Sequence, residues 1–223
     1  MKICHYDFSK PLELENGVGI LVAENATKFV EYCNDFVAQQ SGDDGSFIVD
    51  DGEKTFSFKK SGCIVFDFFS TSLNDKKIVA GIYDKIGLTV DEKYLQEYYD
   101  LLGRMSSFCD LIALESPLAV EYNADVCIQD FLKTMKVCLI DDSATFIEKV
   151  VDWLDAKAQF CNVKLFVLVN FRTFLGDEDC KLAIEHFQYA PYSVLFLERT
   201  QPARLKNEPM RIIDNDLCEI VVE

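Results

Sequence analysis

Two kinds of apolar pattern alternate along this chain. Short, nearly unbroken apolar runs stand at residues 19–23, 62–69, 164–170 and 193–198. Runs of that length, bounded by polar or turn-forming residues, predict strands buried on both faces, as in a parallel sheet covered by helices. Between them, apolar residues recur every three or four positions. In residues 26–40, Phe29, Val30, Cys33, Phe36 and Val37 share one face, which predicts a helix after the first run. Residues 177–187 predict a second such helix, between the third and fourth runs. The ends are less regular. Residues 2–8 alternate, Pro11 and Asn16-Gly17 mark turns, and Asp50-Asp51-Gly52 separates 46–49 from 54–58 as a hairpin would. Residues 211–213 and 218–222 read as closing strands.

From residue 74 to 158 the pattern is helical almost throughout. Asn74-Asp75 is placed to cap a first helix ending near Gly87. Thr89 with Glu92 fits a capping box that opens a second. Tyr94, Tyr98, Leu101, Met105, Phe108 and Ile112 alternate steps of four and three, a seam expected where helices pack side by side. Pro117 stops or bends that helix. Residues 120–135 predict another, with Ala124, Cys127, Phe131 and Met135 on one face. A third follows Asp141-Asp142-Ser143 and carries Phe146, Val150, Val151 and Leu154. The fold class expected is α/β: a head built from 1–73 and 159–223, with a helical extension over 74–158.

Composition bounds the function. The chain has 223 residues, which suits one domain with an insertion. Its net charge of −16 argues against coating nucleic acid or an anionic membrane with the whole surface, while leaving room for a local basic groove. The nine cysteines include no CxxC pair, and with two histidines there is no zinc spacing. Most cysteines sit in apolar surroundings and are expected to be small buried residues in a reducing compartment. No apolar run approaches 18 residues and the first residues lack the apolar core of a signal peptide, so a cytoplasmic protein without a membrane partner is expected.

Candidate chemistry is sparse. The turn after the first strand, where a phosphate loop would lie, reads Ala23-Glu24-Asn25-Ala26-Thr27-Lys28. It has a lysine but no glycine, and Glu24 repels phosphate; bare backbone amides are what such a loop needs. Asn170 ends its strand where a magnesium-binding Asp would stand. His5 and His186 read as structural histidines, and no nucleophile elbow is present. Glu115, Glu121, Asp125 and Asp130 lie around the break between two helices, with Glu121 and Asp125 four apart on one helix face. Such acids either bind a hard cation such as calcium or form a solvated face beside helix N-termini. Basic residues fall in small groups: Lys59-Lys60, Lys76-Lys77, Lys133 with Lys136, and Arg199, Arg204 and Lys206. An oligomer that turned these inward would meet DNA through its phosphates.

Three stretches carry a resemblance: DFSKPLELE at 7–15, KLFVLVNFRTFLGDED at 164–179 and SVLFLERTQPAR at 193–204. With the order head, helical insertion, head, the chain resembles the small accessory proteins of type II-A CRISPR loci that act in spacer acquisition. The resemblance implies a nucleotide-binding-like head without a working phosphate loop and a ring-shaped homotetramer. It implies Ca2+ ions that order the helices against the head, and inward lysines that hold double-stranded DNA ends. It implies no enzyme activity, and work beside the integrase proteins and the effector nuclease in antiviral defence. Carried onto this sequence, the metal role falls to Glu115, Glu121, Asp125 and Asp130. The DNA-binding role falls to Lys28, Lys59, Lys60, Lys133, Lys136 and Arg204. Two rivals stand beside it: a degenerate mononucleotide-fold ATPase or kinase-like enzyme, and a protein-binding scaffold with no DNA affinity.

Overall fold

In the computed structural model, residues 1–14, 16–52, 56–203 and 208–222 are described. The four apolar runs become neighbours in one sheet. Its strands are β3 (Val18–Ala23), β5 (Gly62–Val65), β6 (Leu165–Val169), β7 (Ser193–Glu198), β8 (Met210–Ile213) and β9 (Glu219–Val222), in the order β5-β6-β7-β3-β8-β9. The first five run parallel and β9 closes antiparallel against β8. Every residue of β3, β6 and β7 is buried, as continuous apolar runs require. The chain has an α/β fold.

Alternate residues of these strands feed two cores. Leu165, Val167 and Val169 of β6, with Leu195 and Leu197 of β7, join Tyr32, Phe36, Phe47 and Phe58 in one cluster. Tyr32 and Phe36 come from α1 (Ala26–Ser41), and Phe36 stacks on Phe47 with centroids 4.1 Å apart. A small antiparallel sheet, β2 (Leu12–Glu13), β1 (Lys2–Cys4) and β4 (Ile48–Asp50), in that order, adds Ile3, Leu12 and Val49. On the other side, Phe166 and Phe196 meet Tyr192 and Phe187, the latter from α7 (Asp177–Tyr189). α6 (Phe146–Cys161) opens with a capping box between Thr145 and Glu148 and buries Val150, Trp153 and Leu154. α1 ends at Gly42, whose φ of 103° lets its amide reach Ala38 and Gln39 carbonyls; a side chain there would be strained.

The structure departs from the sequence pattern in three places. β4 pairs with β1 and not with a following strand: Gly52 makes the expected turn onto Asp50, yet Phe58 opens a four-residue helix, α2 (Phe58–Ser61). Residues 54 and 55 of the expected strand lie outside the described residues. Thr89 caps nothing. α3 (Lys76–Thr89) runs through a π-helical turn at Val90–Tyr94 straight into α4 (Leu95–Glu115), and the Thr89 hydroxyl bonds back to the Lys85 carbonyl. Finally, the helix expected over 120–135 shrinks to α5 (Ile128–Thr134). Before it, Ser116 and Asn123 side chains accept the amides of Leu118 and Asp125, local bonds that compete with helix formation.

The chain divides into two compact units, Met1–Leu73 with Asp141–Glu223, and Asn74–Ile140. α6 lies in the first unit; α3, α4 and α5 form the second. At the ends of the second unit, the Asn74 side-chain amide donates to the Leu139 carbonyl at 3.0 Å and accepts the Leu139 amide at 2.9 Å. These bonds close the unit on itself. No helix among the described residues is long and apolar enough to cross a membrane.

Candidate nucleic-acid interface

The first turn of α3 is fixed by Asp75, whose carboxylate accepts the amides of Lys77 and Ile78. That places Lys76, Ala80 and Tyr83, spaced four and three, along one side of the helix. α5 ends in a reversal: Lys136 adopts φ of 53°, and the Val137 amide bonds to the Leu132 carbonyl. The chain then returns along α3, held by the Tyr83 hydroxyl donating to the Val137 carbonyl at 3.0 Å. Helices α3 and α5 approach closely at Gly87, where an added Cβ would meet Gln129 Nε2 at 3.2 Å.

Between these elements runs an open groove of about 530 Å³, lined by Val79, Ala80, Tyr83, Val137 and Cys138, with Lys76, Lys133 and Lys136 at its edges. All three lysines are exposed. Lys133 pairs with Asp130 at 3.0 Å, and each partner raises the other's tendency to stay charged. Neither Lys76 nor Lys136 has a carboxylate partner among the described residues. The groove offers three cations over an apolar floor. Of the sequence candidates, Lys133 and Lys136 are brought together here. Lys76 was in a basic pair of the sequence but not among the candidates; its four-three spacing with Ala80 and Tyr83 is the signal that finds it.

The other basic candidates lie elsewhere. Lys28 is nearly buried in the first unit. Its ammonium pairs with Asp7 at 3.1 Å and Glu31 at 3.0 Å and lies over the rings of Tyr6 and Tyr32. Those bonds hold its pKa well above the usual lysine range despite burial. Its charge is consumed inside the protein, so it has none to offer a phosphate. Lys59 and Lys60 are exposed on α2. Arg204 lies outside the described residues.

The turn after β3 is filled by its own side chains. Asn25 Oδ1 accepts the amides of Thr27 at 3.0 Å and Lys28 at 3.2 Å, and the Glu24 amide donates to the Ile213 carbonyl. The amides a phosphate would need are taken. Asn170 likewise uses its side chain to accept the Arg199 amide, tying the ends of β6 and β7.

The four acids are not gathered. Glu121 and Asp125 stand on the non-helical 116–127 segment, so the i, i+4 spacing expected to align them does not arise. Asp130 is engaged by Lys133 and by the Cys127 thiol. Among the described residues no three His, Cys, Asp or Glu side chains come together as a metal site. The cysteines also differ from expectation. Only Cys33 and Cys180 are buried, and burial pushes the Cys33 thiol up to about 11; Cys127, Cys138 and Cys218 are exposed, and no disulfide forms among the described residues. His186 bonds Asp155, while His5 is enclosed by Tyr6, Phe8, Tyr32 and Phe47.

Comparison with known proteins completes the picture. The family described as CRISPR-associated protein (Cas_Csn2) matches residues 39–217, most of the chain and parts of both units. A CRISPR-associated protein Csn2 of Enterococcus faecalis is 22% identical over 136 residues, 61% of this chain. The matched stretch spans 55% of that relative's own length. On the extent of the family match, this chain belongs to the CRISPR-associated Csn2 family.

Proposed function

We propose that this CRISPR-associated protein is a non-catalytic, calcium-dependent tetrameric clamp that closes on double-stranded DNA ends during spacer acquisition. The observation that carries the reading is α4. Its seam residues Leu101, Met105, Phe108 and Ile112 are all exposed, Phe108 by 63%, and no residue of the helix is buried. A helical seam whose apolar side chains stay exposed is suited to packing beside copies of itself. In the same unit, Lys76, Lys133 and Lys136 supply cations for phosphates. On a chain of net charge −16 that contact must be local, and it weakens steeply with salt.

A non-catalytic role is supported by the filled turn after β3, where Asn25 occupies the amides and Lys28 is paired. An ATPase or kinase-like protein would need both free. Calcium does not fit the four acids as one chain places them, so no step runs through an ion held by Glu115, Glu121, Asp125 and Asp130. Calcium dependence is then a property of the assembled protein. Integrase proteins and the effector nuclease are the proposed partners.

The test is a gel-shift titration with linear and closed circular duplex of one sequence, with calcium or with chelator, at two salt concentrations. Light scattering on the same samples gives the mass. A salt-sensitive shift of linear DNA by a tetramer, lost on chelation, is expected. Equal binding of circular DNA refutes threading. A shift unchanged by chelator removes calcium. No shift at any salt, with the oligomer intact, leaves the protein-binding scaffold.

A further inference from the structure

We propose that the groove between α3 and the end of α5 receives the terminal nucleotide of the duplex, its base unstacked onto the apolar floor and its phosphates against Lys76, Lys133 and Lys136. This rests on the DNA-end reading above and specifies what that end must do.

Phosphates along an intact duplex need cations alone. A floor of Val79, Ala80, Val137, Cys138 and the edge of the Tyr83 ring adds little to such contacts, because the outer face of a duplex is dominated by its phosphates. A single nucleotide, by contrast, joins a flat π-face to a phosphate. The groove's volume of about 530 Å³ falls within the roughly 300–1,000 Å³ usual for small-molecule sites. The Tyr83 ring is held in place by its hydroxyl bond to Val137, so the floor is set before anything binds. The rim is cationic although the chain is strongly acidic, which selects a phosphate-bearing occupant over most of what the surface repels. In a duplex, the terminal pair stacks on one side only, and leaving the stack costs least where the base is unpaired. Nucleotides at linear ends meet these terms, and those of a closed circle do not.

The experiment uses the full chain and three duplexes of equal length, labelled internally and read by fluorescence anisotropy. One is blunt, one has three mismatched pairs at each end, and one is closed by hairpins at both ends. Freeing a paired terminal base costs on the order of 1 kcal/mol or more, which the mismatched end avoids, so it should bind about tenfold tighter than the blunt one. Ala80→Gln puts a longer polar side chain over the floor at an exposed helical position. It should bring the mismatched duplex down to the affinity of wild type for the blunt one, with the circular dichroism spectrum unchanged. Lys133→Gln with Lys136→Gln should weaken mismatched and blunt duplexes together.

Equal affinity of wild type for mismatched and blunt ends overturns the inference while leaving the clamp reading in place. A preference that survives Ala80→Gln also overturns it. If no duplex binds at any salt, the clamp reading falls first and takes the groove with it. A peptide of alternating Glu and Leu is the second probe. If it binds saturably and Ala80→Gln abolishes that binding, while DNA shows no end preference, the groove belongs to a protein partner and the inference fails.

Discussion

The central sheet and α4 are both apolar, and they spend that character in opposite ways. β3, β6 and β7 bury every residue within the chain. α4 buries none over 21 residues. Apolar periodicity announces that a face will be covered; it does not say by which molecule. In the first unit the cover is α1, α6 and α7. In the second, Tyr98 and Tyr122 tie α4 to the 116–127 segment, yet Leu101, Met105, Phe108 and Ile112 stay exposed among the described residues, and a partner is the physical expectation.

The sharpest test of this contrast is truncation on each side of it. Phe187→Ala, at a fully buried ring under the sheet, should cost about 3–5 kcal/mol in chemical unfolding. Phe108→Ala, measured at concentrations where the chain is monomeric, should stay within about 0.5 kcal/mol. Comparable losses at both sites would mean that α4 is covered after all.

Next in size is a carboxyl buried at the end of β7 in the same sheet. Burial raises the Glu198 carboxyl to about 7, against the partial relief given by Arg172. The folded state therefore takes up a proton that the unfolded state releases near 4.5. Stability is full below that pH and declines as pH rises through 7, by at most about 3 kcal/mol. Glu198→Gln should remove this decline between about pH 4.5 and 7, read as the denaturation midpoint from pH 4 to 9. An unchanged slope would place the titration elsewhere.

Smaller effects follow. Asn25→Ala frees the Thr27 and Lys28 amides and should cost about 1 kcal/mol, the usual worth of such a cap. ATP turnover appearing in that variant would revive the enzyme reading. Last, burial depresses the pKa of His5, whose Nδ1 accepts the Asp7 amide. Asp7, Asp35, Lys28 and Glu31 are the charged groups that act on it, the carboxylates opposing burial and Lys28 adding to it. The folded state keeps the ring neutral while the unfolded state gains a proton, so stability fades as pH falls below about 6.5. His5→Phe should flatten that acid arm, and an arm that persists would mean another group titrates there.

The buried strands were legible because they are unbroken: 193–198 emerges as β7 with the same ends. α1 and α7 were legible from spacing. The connection between the helical unit and α6 was not, because a helix covering a sheet and a helix in an insertion carry the same 3.6-residue pattern. Residues 116–127 read as helix since Ala124 and Cys127 keep the spacing, and the competing Ser116 and Asn123 bonds leave no periodic trace. The groove was half legible: Lys133 and Lys136 stand three residues apart, one in the last turn of α5 and one just past its end, whereas Lys76 reaches them only through the tertiary return of the chain. Lys28 misled because Asp7, which completes its pairing beside the local i, i+3 partner Glu31, stands 21 residues earlier, beyond any local rule.

The Asn74–Leu139 clasp has a consequence for how the sheet assembles. β5 and β6 are adjacent strands, yet nearly a hundred residues of chain separate them, and closing a long loop costs entropy that grows as its logarithm. With residues 74 and 139 pinned together, the sheet meets a detour about one third as long, which lowers that entropy by roughly 1 kcal/mol. A cheaper closure brings β5 and β6 into register sooner on the folding path. Evolution is then free to lengthen, shorten or rebuild everything beyond the clasp while the strands below it still find each other.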